Sequence, residues 1–109
     1  MKGWMYMMSM TNSAIEEKYR IIMRINDLCN TMVESIPDMR ERRDFSDLLN
    51  KHIDQKMSGG KCRFDSIDDI INMHIYCISK YSSAGQKVLT ELTRAGGEID
   101  RLCIMMRML

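Results

Sequence analysis

A chain of 109 residues with 16 basic and 15 acidic side chains carries a formal charge of +1, which excludes the broad positive field on which non-specific nucleic-acid binding rests. Its 45% hydrophobic and 28% charged residues are globular proportions for one domain and exclude a disordered chain. Thirteen Met against two Phe and one Pro lean the chain towards all-α, because methionine forms helices readily and few prolines interrupt them.

The first segment, "MKGWMYMMSM", holds Trp4, Tyr6 and five Met and reads as an apolar arm over residues 1–12. It lacks the h-region and small-residue cleavage site of a secretory signal. No stretch of the sequence approaches the ~20 apolar residues of a membrane span, so the expected setting is cytoplasmic. There the widely spaced Cys29, Cys62, Cys77 and Cys103 read as reduced, mostly buried small hydrophobes rather than a disulfide framework.

A helix is predicted over 13–36. Ser13 and Glu16 form a capping box, and Ile15, Tyr19, Ile22, Asn26, Cys29, Val33 and Ile36 follow with alternating four- and three-residue steps. Asn26 is the one polar member of that seam, either a register-fixing residue or a sign that the seam uses Ile25 instead. Pro37 disfavours helical dihedrals at Ile36 and ends the run.

A second helix is predicted over 37–58. Its first half is charged, and Met39, Phe45, Leu48, Leu49, Ile53 and Met57 give only a narrow apolar stripe. "SGGK" at 58–61 invites comparison with a phosphate-binding loop. Cys62 stands where that motif needs Ser or Thr, Gln55 where it needs glycine, and a helix leads in where it needs a strand. The glycines therefore read as a corner, with Gly59 or Gly60 in a left-handed helix cap.

A third helix is predicted over 65–95, capped by Asp65 or Ser66 with Asp68 and Asp69 favourable in its first turn. Its stripe reads Ile67, Ile71, His74, Ile78, Tyr81, Gly85, Val88, Leu92 and Ala95. Two consecutive glycines cost a helix roughly 2 kcal/mol relative to alanines, so a break at Gly96–Gly97 is expected, with 98–109 as a short fourth helix. The alternative is one continuous helix that overhangs its neighbours. The last segment, "EIDRLCIMMRML", fits nearly any helical phase.

Chemistry-bearing residues are sparse. His74 and Cys77 are one helical turn apart, but a structural zinc site would need Cys29, Cys62, Cys103 or His52 to converge on them; no metal and no cofactor is expected. The stripe points His74 inward, against a phosphotransfer role. No nucleophile has a base implied by spacing, so no catalytic residue is assigned and an enzyme is not favoured, although an arginine pocket on a small bundle is conceivable. Arg40, Arg42 and Arg43, with Lys61, form a candidate anion or nucleic-acid patch, but Glu41, Asp44 and Asp47 are interleaved with the arginines and a solvated face is the simpler reading.

The expected architecture is an all-α, three- to four-helix antiparallel bundle. Trp4, Tyr6, Met105 and Met106 are the candidate partner-binding residues, because a core this small has difficulty covering both apolar ends. The expected function is that of a small helical interaction protein that self-associates and binds a protein partner, with no membrane. The alternative is a phosphate-ligand or nucleic-acid binder using Arg40, Arg42 and Arg43.

Overall fold

The computed structural model describes the backbone of residues 2–74 and 85–109 and the side chains of 13–74 and 87–109. These residues form an all-α bundle of four helices: α1 (Lys2–Glu34), α2 (Met39–Ser58), α3 (Ile67–Met73) and α4 (Gly85–Met108). The central element is α4, which packs against each of the other three.

Helix α1 starts well before the predicted boundary. Residues 2–12 are helical, so Ser13 and Glu16 lie inside the helix rather than at its cap. Gly3 is the weakest helix former in this segment, no proline interrupts it, and its methionines favour continuation over the local cap. The chain then turns sharply at 35–38. Arg42 fastens this corner, its Nε donating to the Ile36 carbonyl at 2.8 Å and its Nη2 to the Glu34 carbonyl at 3.2 Å.

Helix α2 begins at an Asp38 cap whose carboxylate accepts from the Glu41 backbone N–H at 3.0 Å. It ends at Gly59, in the left-handed region at φ 76°, with the Gly60 N–H donating back to the Gln55 carbonyl at 2.9 Å. The glycine corner is thus a helix stop, as the motif reading required.

Helix α3 is one short segment rather than the start of a helix reaching residue 95. It stops because His74 leaves helical dihedrals (φ −108°, ψ 6°) and its Nδ1–H donates to the Ile70 carbonyl at 3.0 Å, satisfying one of the helix's terminal acceptors. His74 is 5% exposed and meets the Phe45 ring edge-on at 5.3 Å. Ile78 and Tyr81 of the predicted stripe, and Cys77 of the histidine–cysteine pair, lie outside the described residues.

Helix α4 does not break at Gly96–Gly97 but runs through both. The two glycines differ in surroundings. A Cβ on Gly96 would lie 2.7 Å from Ile67 Cγ2, whereas one on Gly97 would meet nothing within 4 Å. Gly96 is where α3 crosses α4 too closely for a side chain; packing Ile67 and Ile71 there offsets the helix-propensity cost that argued for a break.

The core is formed by Ile21, Ile25, Leu28, Cys29, Met32 and Ile36 of α1 and its corner, Phe45, Leu49 and Ile53 of α2, Ile67, Ile70 and Ile71 of α3, and Leu92, Ile99 and Cys103 of α4. The α1 seam therefore uses Ile25 and leaves Asn26 exposed. Ile15 and Tyr19, placed in the seam by their spacing, are 57% and 64% exposed, and Ile22 also faces out. Ile21 and Ile22 are both apolar, so spacing alone did not choose between two faces; the cost of burying an unpaired Asn26 does.

His52 pairs with Asp100 and Gly59 lies beside Arg107, so α2 and α4 run in the same direction and α1 opposes both. Arg24 grips Glu98 with two hydrogen bonds, 2.9 and 3.2 Å long. From that level to Leu109 is 11 residues, which places the end of α4 beside residue 13 of α1. The turns of α1 ahead of it project past the bundle by about 16 Å at 1.5 Å per residue. The molecule is accordingly elongated, measuring 63 × 27 × 21 Å.

Candidate functional site

Two features stand apart from the core: an uncovered apolar face at the projecting end, and a buried polar hub between α2, α3 and α4.

Ile15, Tyr19, Ile22 and Met23 are exposed on α1, and Ile104, Met105, Met108 and Leu109 on the last turns of α4. The antiparallel pairing of α1 with α4 brings both groups to the same end of the bundle. On α1 the exposed apolar side chains are spaced by four and three residues, the signature of a helix face able to pair with another helix. Of the sequence candidates, Met105 belongs to this exposed set at 46%, while Met106 packs partly against the core. Trp4 and Tyr6 sit on the projecting turns of α1, and their side chains lie outside the described residues.

The polar hub centres on Asp100. Its Oδ1 accepts from Lys56 Nζ at 2.9 Å and from His52 Nε2 at 3.0 Å, and its Oδ2 from the Ile67 backbone N–H at 3.0 Å. Ser66 makes no side-chain cap bond to α3, so this carboxylate supplies from α4 the N-terminal cap and the negative charge that α3 needs. Burial alone would raise the Asp100 pKa, but the hydrogen bonds from Ile67, Lys56 and His52 together hold it below the ordinary carboxylate value. With Asp100 ionised, His52 Nε2 carries the donated proton. His52 is 1% exposed, and its Nδ1 is buried without a hydrogen-bond partner.

The arginine candidates are not brought together with Lys61. Arg42 is committed to the α1–α2 corner, leaving Arg40 and Arg43 exposed in the first turns of α2. Lys61 lies past the other end of that helix, about 30 Å away by helix length. Cys29 and Cys103 are buried, and burial pushes both thiols up to about 11; Cys62 is half-buried. Among the described residues no three His, Cys, Asp or Glu side chains are grouped to hold a metal ion.

The hub went unnoticed in the sequence because its members are up to 48 positions apart. The only local sign was His52 falling one step from the apolar stripe of α2. No family model, curated protein or solved structure matches this chain.

Proposed function

We propose that this is a helical interaction protein that pairs with a second copy of itself along the outer face of α1 and offers the resulting assembly to a protein partner, acting by occupation rather than by chemistry. The observation that carries this reading is the exposed stripe Ile15, Tyr19 and Ile22 on a helix that outreaches its own bundle. An apolar face of this kind has no reason to remain bare in a chain that acts alone.

The stripe also suggests how two copies fit. Its described members are Ile15, Tyr19, Ile22 and Met23, arranged on either side of Tyr19. In an antiparallel pair of α1 helices with a two-fold axis at Tyr19, Ile15 lies against Met23 and Ile22 of the other copy. Apolar then meets apolar, and the two-fold axis makes the contact self-complementary. Met105 and the projecting turns bearing Trp4 and Tyr6 extend the contact at its edges. A cytoplasmic setting, where Cys29 and Cys103 stay as thiols, belongs to the same proposal.

Sedimentation equilibrium over a wide concentration range tests it. Wild-type protein is expected to reach the mass of two chains. Tyr19→Asp places a charge at the centre of the interface in both copies, so a loss of about 2 kcal/mol per copy would weaken pairing roughly 1000-fold. Met39→Asp, on an exposed apolar side chain of α2, should pair as wild type does. A wild-type protein that stays one chain at every concentration would overturn the proposal.

A further inference from the structure

A cavity of about 40 Å³ lies between α2 and the connection that follows it, lined by Leu48, Lys51, His52, Gln55, Arg63 and Phe64. We propose that this cavity is a binding site for a small oxyanion, such as a phosphate group, held between His52 and the cations Lys51 and Arg63. The site is distinct from the α1 face and does not depend on self-association.

Three observations converge on it. His52 is almost wholly buried, is fixed at Nε2 by Asp100, and has no partner at Nδ1. A buried ring nitrogen left unbonded costs about 1–3 kcal/mol, a cost a ligand can remove. The side chains of Lys51, Gln55 and Arg63 make no hydrogen bond or ion pair among the described residues; Arg63 only rests over the Phe64 ring, 5.1 Å from its centroid. Two unpaired cations, an amide and the residue that carries the orphaned nitrogen therefore line one cavity, with Leu48 and Phe64 as apolar walls. Ligand sites are commonly apolar in their lining, with a few convergent polar groups.

The ligand class follows from the proton. Asp100 is ionised and accepts a hydrogen bond from the Nε2–H, so Nδ1 is either a bare acceptor or, in the imidazolium, a donor. A hydrogen phosphate satisfies both forms: one proton is shared between Nδ1 and a phosphate oxygen, given by the ligand's hydroxyl in the first case and by the ring in the second. Lys51 and Arg63 balance the negative charge, and Lys56 already balances Asp100 behind the ring. The volume is roughly three times the minimum needed for one water, room for a compact tetrahedral group whose remainder extends through the opening.

The test is a titration of ¹⁵N-histidine-labelled protein with inorganic phosphate, following the ring nitrogens of His52 by long-range ¹H–¹⁵N correlation at constant ionic strength. Acetate serves as the carboxylate comparison and chloride as the control. A saturable phosphate-dependent shift at Nδ1 is expected, with affinity falling at least tenfold in Lys51→Gln/Arg63→Gln, whose changes are confined to side chains on the cavity rim. Arg40→Gln/Arg43→Gln, at the opposite end of α2, should leave affinity unchanged. Saturation by acetate with equal affinity would assign the site to carboxylates within the same oxyanion class. The proposal is overturned by the absence of a saturable shift, by an equal response to chloride, or by undiminished affinity in the Lys51/Arg63 variant.

Discussion

Alanine substitution at the two adjacent glycines of α4 separates helix propensity from close packing. Both residues occupy the interior of a continuous helix, so each replacement should gain about 1 kcal/mol from propensity alone. At Gly97 the new methyl meets nothing within 4 Å, and that gain should appear in full. At Gly96 the same methyl would lie 2.7 Å from Ile67 Cγ2 and 3.2 Å from Ile67 Cβ, about 1 Å inside a normal carbon–carbon contact. Ile67 has little room to yield. It is fully buried, and its backbone N–H is held by Asp100. Overpacking of this kind costs about 1–3 kcal/mol, so Gly96→Ala should be about 1–3 kcal/mol less stable than Gly97→Ala, a difference in which the propensity term cancels. Urea unfolding followed by circular dichroism measures it, and combination with Ile67→Ala should remove most of the Gly96→Ala penalty. If both alanine variants are stabilised equally, α3 does not cross α4 at Gly96 as described.

Asp100→Asn should cost about 2 kcal/mol, because it replaces charge-assisted hydrogen bonds to Lys56 and His52 and weakens the cap on α3; thermal or urea unfolding reads this directly. Since the folded-state pKa of Asp100 is depressed, its ionisation stabilises the fold above the ordinary carboxylate range, and that stability is lost as pH falls from about 4 through the lower folded value. Wild type should therefore lose stability more steeply on acidification than Asp100→Asn, and parallel pH profiles would contradict the hub. Asp38→Ala should cost about 1 kcal/mol through the lost cap on α2, measured by the same unfolding assay. Arg42→Ala should cost about 1–2 kcal/mol by leaving the Ile36 and Glu34 carbonyls without their donor, with hydrogen exchange at the α1–α2 corner as a local readout.

The all-α class, the extent of α2 and its stop at Gly59 were legible because each rests on local chemistry: periodic apolar residues, few prolines, and a glycine able to take a left-handed conformation. The inward direction of His74 was legible too, since the stripe set its phase. The seam of α1 was not legible from spacing, because Ile21 and Ile22 stand side by side and fit either face; the bundle covers the face that leaves Asn26 in water. The Gly96–Gly97 pair misled for a related reason, as its cost is local while its compensation, contact with Ile67, comes from 29 residues away. Asp100, the residue that joins α2, α3 and α4, looked like one more charge in an amphipathic tail. Its role depends on partners that no spacing rule connects.

Self-association along α1 is tested most directly by isotope-filtered nuclear Overhauser spectroscopy on a sample in which half the chains are ¹³C-labelled and half are not. Contacts between the Ile15 methyls of one chain and the Ile22 methyls of another, with the Tyr19 rings of the two chains close together, are expected for the antiparallel pair. A spectrum with no intermolecular contact at Ile15, Tyr19 or Ile22, from a sample at concentrations where the protein is fully folded, would contradict it.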